Sequence, residues 1–198
     1  MKFIGDVHAN FDWYNKIISK TSNTIQVGDF GIGFENYSPE PLNEDMMIKN
    51  NHQVIRGNHD NPEKIKYIPG YIPDGEYDKS GNAFCIGGAQ SIDRQDRING
   101  VNWWDNEEID EDTYEIILTK IIQDKPEIIA SHDMPLDVYF LIHHPDNVIK
   151  TNTNQMLDNI LRAHRPKIWV FGHHHVNLDV EYNGTRFICV KDLDIKEV

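Results

Sequence analysis

Five short apolar runs of this 198-residue chain each end in carboxylate, amide or imidazole side chains. These side chains belong to residues spread over most of the chain, namely Asp6, His8, Asp29, Asn58, His59, Asp60, His132, His173 and His175. Their donor atoms are carboxylate oxygens, an amide oxygen and imidazole nitrogens, with no thiolate. Such a mixture suits Mn, Fe, Ni, Co or Zn better than Ca or Mg. The residue types therefore predict a site for divalent transition-metal ions.

The spacing within the clusters indicates which side chains act together. Residues i and i+2 of a strand point to the same side, so we expect Asp6 and His8 to bind one ion together. The same spacing predicts that His173 and His175 face one site. The adjacent side chains of residues 58–59 point apart, and we expect them to have different roles.

The runs that carry these clusters have the composition of buried strands. They are short, rich in Ile and Val, and often closed by Gly. Apolar residues at helical spacing lie between them and predict helices after Asn10, over 114–122 and over 156–161. Strands that alternate with helices indicate an α/β fold, in which chemistry gathers at the carboxyl ends of the strands.

The C-terminal part carries a different pattern. Strand-like runs at 178–182 and 186–190 flank Asn183-Gly184, which is a β-hairpin turn signal. We therefore expect this part to add antiparallel strands, and a further strand is predicted at 84–86. The length corresponds to about one domain, so the chain is expected to be a single domain over 1–198.

Composition argues against several classes of function. Lys and Arg number 19 and Asp and Glu number 32, so the net charge is −13. This charge repels nucleic acids and anionic membranes at long range. No apolar run approaches the ~18 residues that cross a bilayer, and the first residues lack the apolar stretch of an export signal. Together with two cysteines in apolar runs, Cys85 and Cys189, these features predict a cytoplasmic protein.

The clusters also form an ordered set of motifs: Asp6-x-His8, Gly28-Asp29, Gly57-Asn58-His59-Asp60, His132 and Gly172-His173-x-His175. This set resembles the calcineurin-like metallophosphoesterase superfamily, in particular its small bacterial and phage members. The resemblance implies a four-layer α/β/β/α sandwich of two mixed sheets flanked by helices. It also implies a phosphatase or phosphodiesterase that uses two divalent ions, with Mn expected first and Fe, Ni, Co or Zn as alternatives.

The resemblance further implies a role for each residue of the set. The implied metal ligands are Asp6, His8 and His175 for the first ion, Asn58, His132 and His173 for the second, and Asp29 between both. Metal ions lower the pKa of bound water, so a hydroxide that bridges the ions would be the nucleophile. His59 would donate a proton to the leaving group as the general acid, and Asp60 would orient it.

Two departures argue against the protein-phosphatase branch of the superfamily. Gly28-Asp29 continues as Phe30-Gly31, so the chain lacks the Asp-Arg-Gly of the serine/threonine protein phosphatases and their phosphate-binding arginine at that point. Asp60 stands where those enzymes carry Glu. Both departures favour a small phosphate ester, or a nucleotide-like substrate, over a phosphoprotein.

Other arginines are candidates for binding the substrate. Arg94 and Arg97 follow the segment 87–93, which is similar to segments in small bacterial and phage members of the superfamily. Arg56 immediately precedes the third motif. Each of the three can instead pair with neighbouring carboxylates, an interaction of little energetic weight at a surface.

Several alternatives stay open at this point. A non-catalytic protein-interaction scaffold of the same fold would be indicated by a damaged ligand set, but here every ligand and His59 are present. Trp103 and Trp104 either stack a base or, more commonly, pack into the core. The acidic run 105–112 is expected to be the solvated start of a helix. The oligomeric state is left open.

Overall fold

A computed structural model describes residues 1–34 and 40–198, and of Pro145 only the backbone. Within these residues the strands lie in two mixed sheets. In chain order the strands are β1 (Lys2–Ile4), β2 (Thr24–Gln26), β3 (His52–Val54), β4 (Glu76–Tyr77), β5 (Ala83–Ile86), β6 (Ile128–Ser131), β7 (Ile168–Phe171), β8 (Leu178–Tyr182), β9 (Thr185–Cys189) and β10 (Ile195–Glu197).

The first sheet has the order β10-β1-β2-β3 and the second has the order β4-β5-β6-β7-β9-β8. Strands β1, β2 and β3 are parallel, as are β5, β6, β7 and β9, whereas β10, β4 and β8 run antiparallel at the edges. The predicted hairpin joins β8 to β9, with positive φ at Asn183 (50°) and Gly184 (83°), as its turn requires. The C-terminal strands are thus shared between the sheets, because β8 and β9 extend the second and β10 the first.

Helices connect the strands: α1 (Phe11–Ile18), α2 (Glu44–Lys49), α3 (Pro62–Ile65), α4 (Glu111–Asp124) and α5 (Asn152–Ala163). Short 3₁₀ turns lie at Arg94–Asp96, Leu136–Leu141 and Pro145–Asn147. The predicted helices are α1, α4 and α5, and the side chains of Asn10, Asp110 and Thr151 cap their first turns. In the described part of the chain, every helix is too short or too polar to span a membrane.

Alternation of side chains along the strands builds four layers. Phe3 of the first sheet and Cys85 and Val170 of the second point into one apolar core between the sheets. Their neighbours point away, since Ile4 packs against α1–α3 and Phe84 packs against α4 and α5. This arrangement confirms the expected sandwich of two mixed sheets flanked by helices.

Candidate metal centre

Five strand ends meet at one edge of the sandwich. The carboxyl ends of β1, β2 and β3 lie side by side because these strands are parallel, and so do those of β6 and β7. The residues that follow Ile4, Gln26, Ser131 and Phe171 bring carboxylates and imidazoles from both sheets into contact. The prediction that the polar clusters lie at carboxyl ends of strands agrees with this geometry.

The expectation that strand alternation brings Asp6 together with His8, and His173 together with His175, is wrong, because these residues lie on loops. β1 and β7 end before the first residue of each i, i+2 pair. His8, His173 and His175 have φ of 48°, 63° and 53°, and Asp29 has 53°. This left-handed region costs a residue with a Cβ about 1–2 kcal/mol. Tight turns, not strand alternation, therefore aim these side chains at the centre.

One group of donors joins Asp6, His8, Asp29 and His175, with a ligand atom of each within 4.8 Å of the others. His175 Nε2 is 3.1 Å from Asp6 Oδ2 and 3.1 Å from His8 Nε2. His8 Nε2 lies 3.8 Å from the Asp6 carboxylate and 3.9 Å from that of Asp29. Metal–ligand bonds of about 2.0–2.2 Å place neighbouring donors roughly 3–4 Å apart, so this group has the spacing of a cation site.

A second group joins Asp29 to His132 and His173, again within 4.8 Å. His132 Nδ1 is 2.8 Å from the Val27 carbonyl oxygen, which can only accept a hydrogen bond. Nδ1 therefore carries a proton, and Nε2 is the ring nitrogen that faces the centre. His132 Nε2 is 3.1 Å from both Asp29 Oδ1 and Asn58 Oδ1. The amide oxygen of Asn58 thus completes this group, and Asp29 belongs to both.

The charges at this edge fit divalent cations. Asp6 and Asp29 are buried, and within the described residues neither forms an ion pair with lysine or arginine. Burial alone would lower the pKa of His132, but the carboxylates of Asp29 and Asp6 outweigh it and raise that pKa to about 10. Burial lowers the pKa of His173 to about 3, which leaves a neutral imidazole. Asp29 and Asp6 thus favour a positive charge at this position, and a bound cation would supply it in place of a proton on His132.

His59 lies at the rim of the centre. Its backbone N–H donates to Asp29 Oδ1 at 2.7 Å. Its ring packs against His8, with centroids 5.0 Å apart, and stacks on Phe34 at 5.2 Å. Nε2 is 2.8 Å from a guanidinium nitrogen of Arg97. Burial lowers the pKa of His59, Asp29 opposes that change and Arg97 adds to it.

Asp60 contacts backbone rather than the His59 ring. Its buried carboxylate accepts hydrogen bonds of 2.8–3.0 Å from the N–H groups of residues 30–32 and of Gly57. These bonds fasten the loop that carries Asp29 to the loop after β3. In the described structure Asp60 therefore positions two loops, in place of the expected contact with the general acid.

The three candidate arginines lie in different surroundings. Arg97 faces the centre and is held by Asp93, 2.7 Å from its Nε. Arg94 is exposed on a 3₁₀ turn and does not line the neighbouring cavity. Arg56 is buried and donates hydrogen bonds of 2.7–3.2 Å to the carbonyl oxygens of residues 106–108. The geometry keeps Arg97 as a candidate for substrate binding and gives Arg56 a structural role.

Sequence reasoning missed Glu107. The acidic run is not solvated throughout, because Glu107 is buried and accepts hydrogen bonds from the N–H (2.8 Å) and hydroxyl (2.6 Å) of Ser91. The Ser91 oxygen in turn accepts one from Asn58 Nδ2 at 3.1 Å. The helix itself begins only at Glu111. The apolar neighbour Ile109 is the sequence sign that this part of the run turns inward.

A cavity of about 640 Å³ opens beside the centre. Its lining residues come from four loops: His8, Ala9, Gly31, Phe34, His59, Asp93, Asp96, Arg97, Val101 and Asn102. Trp104 is buried behind this wall, with its ring edge-on to Phe34 at 5.0 Å. Trp104 therefore packs into the wall, as expected for one member of a Trp pair. No sequence feature indicated that Phe34 lines the cavity.

Comparison with known proteins agrees with this geometry. A family model for calcineurin-like phosphoesterases matches residues 2–177, which is most of the chain. The chain belongs to the calcineurin-like phosphoesterase family. The family is metal-dependent, and this chain carries clusters of His and Asp that fit metal ions. No curated protein sequence matches the chain.

Solved structures share the fold of this chain. A candidate 5′-nucleotidase from Staphylococcus aureus superposes with a TM-score of 0.55 at 13% identity, over 98% of this chain and 49% of that chain. The present chain thus spans about half the length of that protein. The protein TT1561 of Thermus thermophilus superposes with a TM-score of 0.50 at 10% identity, over 97% of this chain and 89% of that chain. At such identities the likeness concerns the fold alone.

Proposed function

We propose that this phosphoesterase hydrolyses small phosphate esters at a centre of two divalent cations. The observation that carries the proposal is the position of Asp29, which belongs to both donor groups. The proposed ligands are Asp6, His8 and His175 for one cation, Asn58, His132 and His173 for the other, and Asp29 for both. The mixed oxygen and nitrogen donors favour Mn, with Fe, Ni, Co or Zn as alternatives. When bound, such ions supply an activated water and withdraw charge from the phosphoryl group.

The chain's own residues orient the ester and provide the proton. The Arg97 guanidinium matches the geometry of phosphoryl oxygens, and it lies in the cavity wall 2.8 Å from His59 Nε2. His59, whose ring lies at the rim of the centre against His8, would donate a proton to the leaving oxygen as the general acid. Asp60 contributes indirectly, because it fixes the loop that carries Asp29.

The proposed substrate is a small ester, either a monoester or a diester. A cavity of about 640 Å³ has the size of a small-molecule site. The net charge of −13 opposes long polyanions, so an extended nucleic acid is a poor fit. One relative of the same fold is named as a candidate 5′-nucleotidase, and a nucleotide-like ester is the corresponding proposal here.

The role of His59 is tested with His59→Gln. We expect kcat on an ester with a poor leaving group to fall by about 100-fold or more, the size of a general-acid contribution. The loss on p-nitrophenyl esters is expected to be much smaller, because that leaving group needs little protonation. The exposed His144→Gln serves as the control. Wild-type kcat on the poor leaving group, with metal content unchanged, would contradict the assignment.

The ester class is tested by comparing p-nitrophenyl phosphate with bis-p-nitrophenyl phosphate under Mn, Ni, Mg and Zn. A faster rate on the diester would assign a phosphodiesterase, and a faster rate on the monoester a phosphatase. A protein that binds two metal ions and hydrolyses neither ester would contradict the proposed hydrolase. That outcome would instead favour a non-catalytic scaffold.

A further inference from the structure

We propose that Glu107 and Ser91 are positioning residues that determine which end of the Asn58 amide faces the metal centre. This inference rests on the proposed cation site. An asparagine side chain keeps nearly the same shape when its oxygen and nitrogen are exchanged. Only the oxygen can bind a cation, so the orientation of the amide must be set by its other neighbours.

The hydrogen bonds of Ser91 and Glu107 permit only one orientation of the Asn58 amide. A carboxylate can only accept hydrogen bonds, so Glu107 takes both the N–H (2.8 Å) and the hydroxyl proton (2.6 Å) of Ser91. The Ser91 oxygen then has only lone pairs to offer, and its neighbour Asn58 must present the NH₂ group, 3.1 Å away. The amide oxygen is thereby turned to the centre, where it lies 3.1 Å from His132 Nε2.

Burial and anchoring make this arrangement stable. Glu107, Ser91 and Asn58 are all at most 2% exposed, so water does not compete for their hydrogen bonds. Arg56, two residues before Asn58, donates to the backbone carbonyl of Glu107 at 2.7 Å and is itself held by Asp74 at 2.7 Å. The backbone that carries the acceptor is therefore tied to the same loop after β3 that carries Asn58.

Glu107→Gln reverses this polarity with little change of shape. In this variant the Ser91 N–H donates to the amide oxygen of the new glutamine. The glutamine NH₂ group then faces the Ser91 hydroxyl and donates a hydrogen bond to its oxygen. The hydroxyl proton is then free to point at Asn58, which must either turn its oxygen away from the centre or leave a buried group unpaired. We expect the affinity for one of two Mn²⁺ ions to fall about 10–100-fold, and the other to stay unchanged. Isothermal titration of the metal-free protein with Mn²⁺ measures both.

Two further variants separate this effect from charge and folding. Glu108→Gln removes the same charge from the adjacent residue, whose carboxylate binds the N–H of Thr153 at 3.0 Å, and should keep both affinities. Ser91→Ala removes the hydroxyl that links Asn58 to Glu107 and leaves the charge unchanged. It should weaken the binding of the same single ion as Glu107→Gln. Far-UV circular dichroism checks that each variant is folded.

The outcomes distinguish the inference from the proposed function. Wild-type affinity for both ions in Glu107→Gln and Ser91→Ala, or an equal weakening in Glu108→Gln, would overturn the positioning role and leave the two-cation centre intact. A wild-type protein that binds no Mn²⁺ would contradict the proposed function, and with it the inference.

Discussion

At the scale of single residues, Arg97 lies where one side chain reaches both the proposed proton donor and an incoming ester. Its guanidinium is shared between His59 Nε2 at 2.8 Å and Asp93 at 2.7 Å. A phosphoryl group entering the cavity would compete with Asp93 for the same donors. Under the proposed function, substrate binding would therefore act on His59 through Arg97.

Arg97→Ala is expected to lower kcat/KM about 10–100-fold, chiefly through a higher KM. The reason is that a hydrogen bond to a charged group contributes about 1.5–3 kcal/mol. Arg94→Ala is the matched control, because Arg94 is exposed outside the cavity, and both kinetic constants should stay unchanged there. Initial rates at saturating Mn²⁺ measure the effect, and equal losses in both variants would indicate a general effect of charge.

The sequence allowed all the polar residues at the centre to be named, but it did not allow a choice among three arginines. Arg56, Arg94 and Arg97 each have carboxylates nearby in the chain. Whether each arginine faces the cavity depends on the path of the loop over 91–104. That path is determined by packing across the cavity wall, and the loop sequence has no periodic pattern that would predict it. Glu107 was misassigned for the same reason, since its neighbours are acidic and its partner Ser91 is distant in sequence.

At the scale of elements, the strands set the position of the centre and the loops after them set its geometry. Alternating apolar residues made the strands and the main helices predictable. The left-handed turns at His8, His173 and His175 were not predictable, because none of the three is glycine. Their backbone is determined by contacts between distant loops, such as the hydrogen bonds of 3.1 Å from the His173 N–H to the Asp6 carboxylate.

Gly57→Ala tests how closely these loops approach one another. A Cβ at Gly57 would lie 2.2 Å from Asp29 Oδ1 and 2.7 Å from His132 Nε2, so the carboxylate shared by both donor groups must move. We expect Mn²⁺ binding to be lost or strongly weakened in a calorimetric titration. Gly81→Ala is the comparison, because nothing lies within 4 Å of its Cβ. If Gly57→Ala binds Mn²⁺ like the wild type, the shared position of Asp29 is wrong.

At the scale of the whole molecule, a histidine outside the centre contributes to the pH dependence of stability. His52 is buried, its Nε2 donates to the Ile18 carbonyl at 3.2 Å, and its Nδ1 accepts from the Thr24 hydroxyl at 2.8 Å. Burial lowers its pKa. The unfolded chain therefore takes up this proton first as the pH falls below about 6.5, and the free energy of unfolding decreases.

His52→Gln removes this titration and should make the pH dependence of the unfolding free energy less steep. Urea unfolding of the metal-free protein at pH 7 and pH 5 is expected to show a smaller loss of unfolding free energy in the variant than in the wild type. The exposed His144→Gln should retain the wild-type difference. Parallel losses in wild type and His52→Gln would show that His52 does not carry the effect.

The cation donors and half of the residues in the cavity wall come from different stretches of the chain. The donors follow five strand ends, whereas Asp93, Asp96, Arg97, Val101 and Asn102 of the wall all belong to one connection between β5 and α4. Under the proposed function, a different segment in place of residues 92–102 is expected to change which ester the cavity accepts while the loops that carry the cation donors stay as they are. That connection is therefore the place to begin a redesign of selectivity.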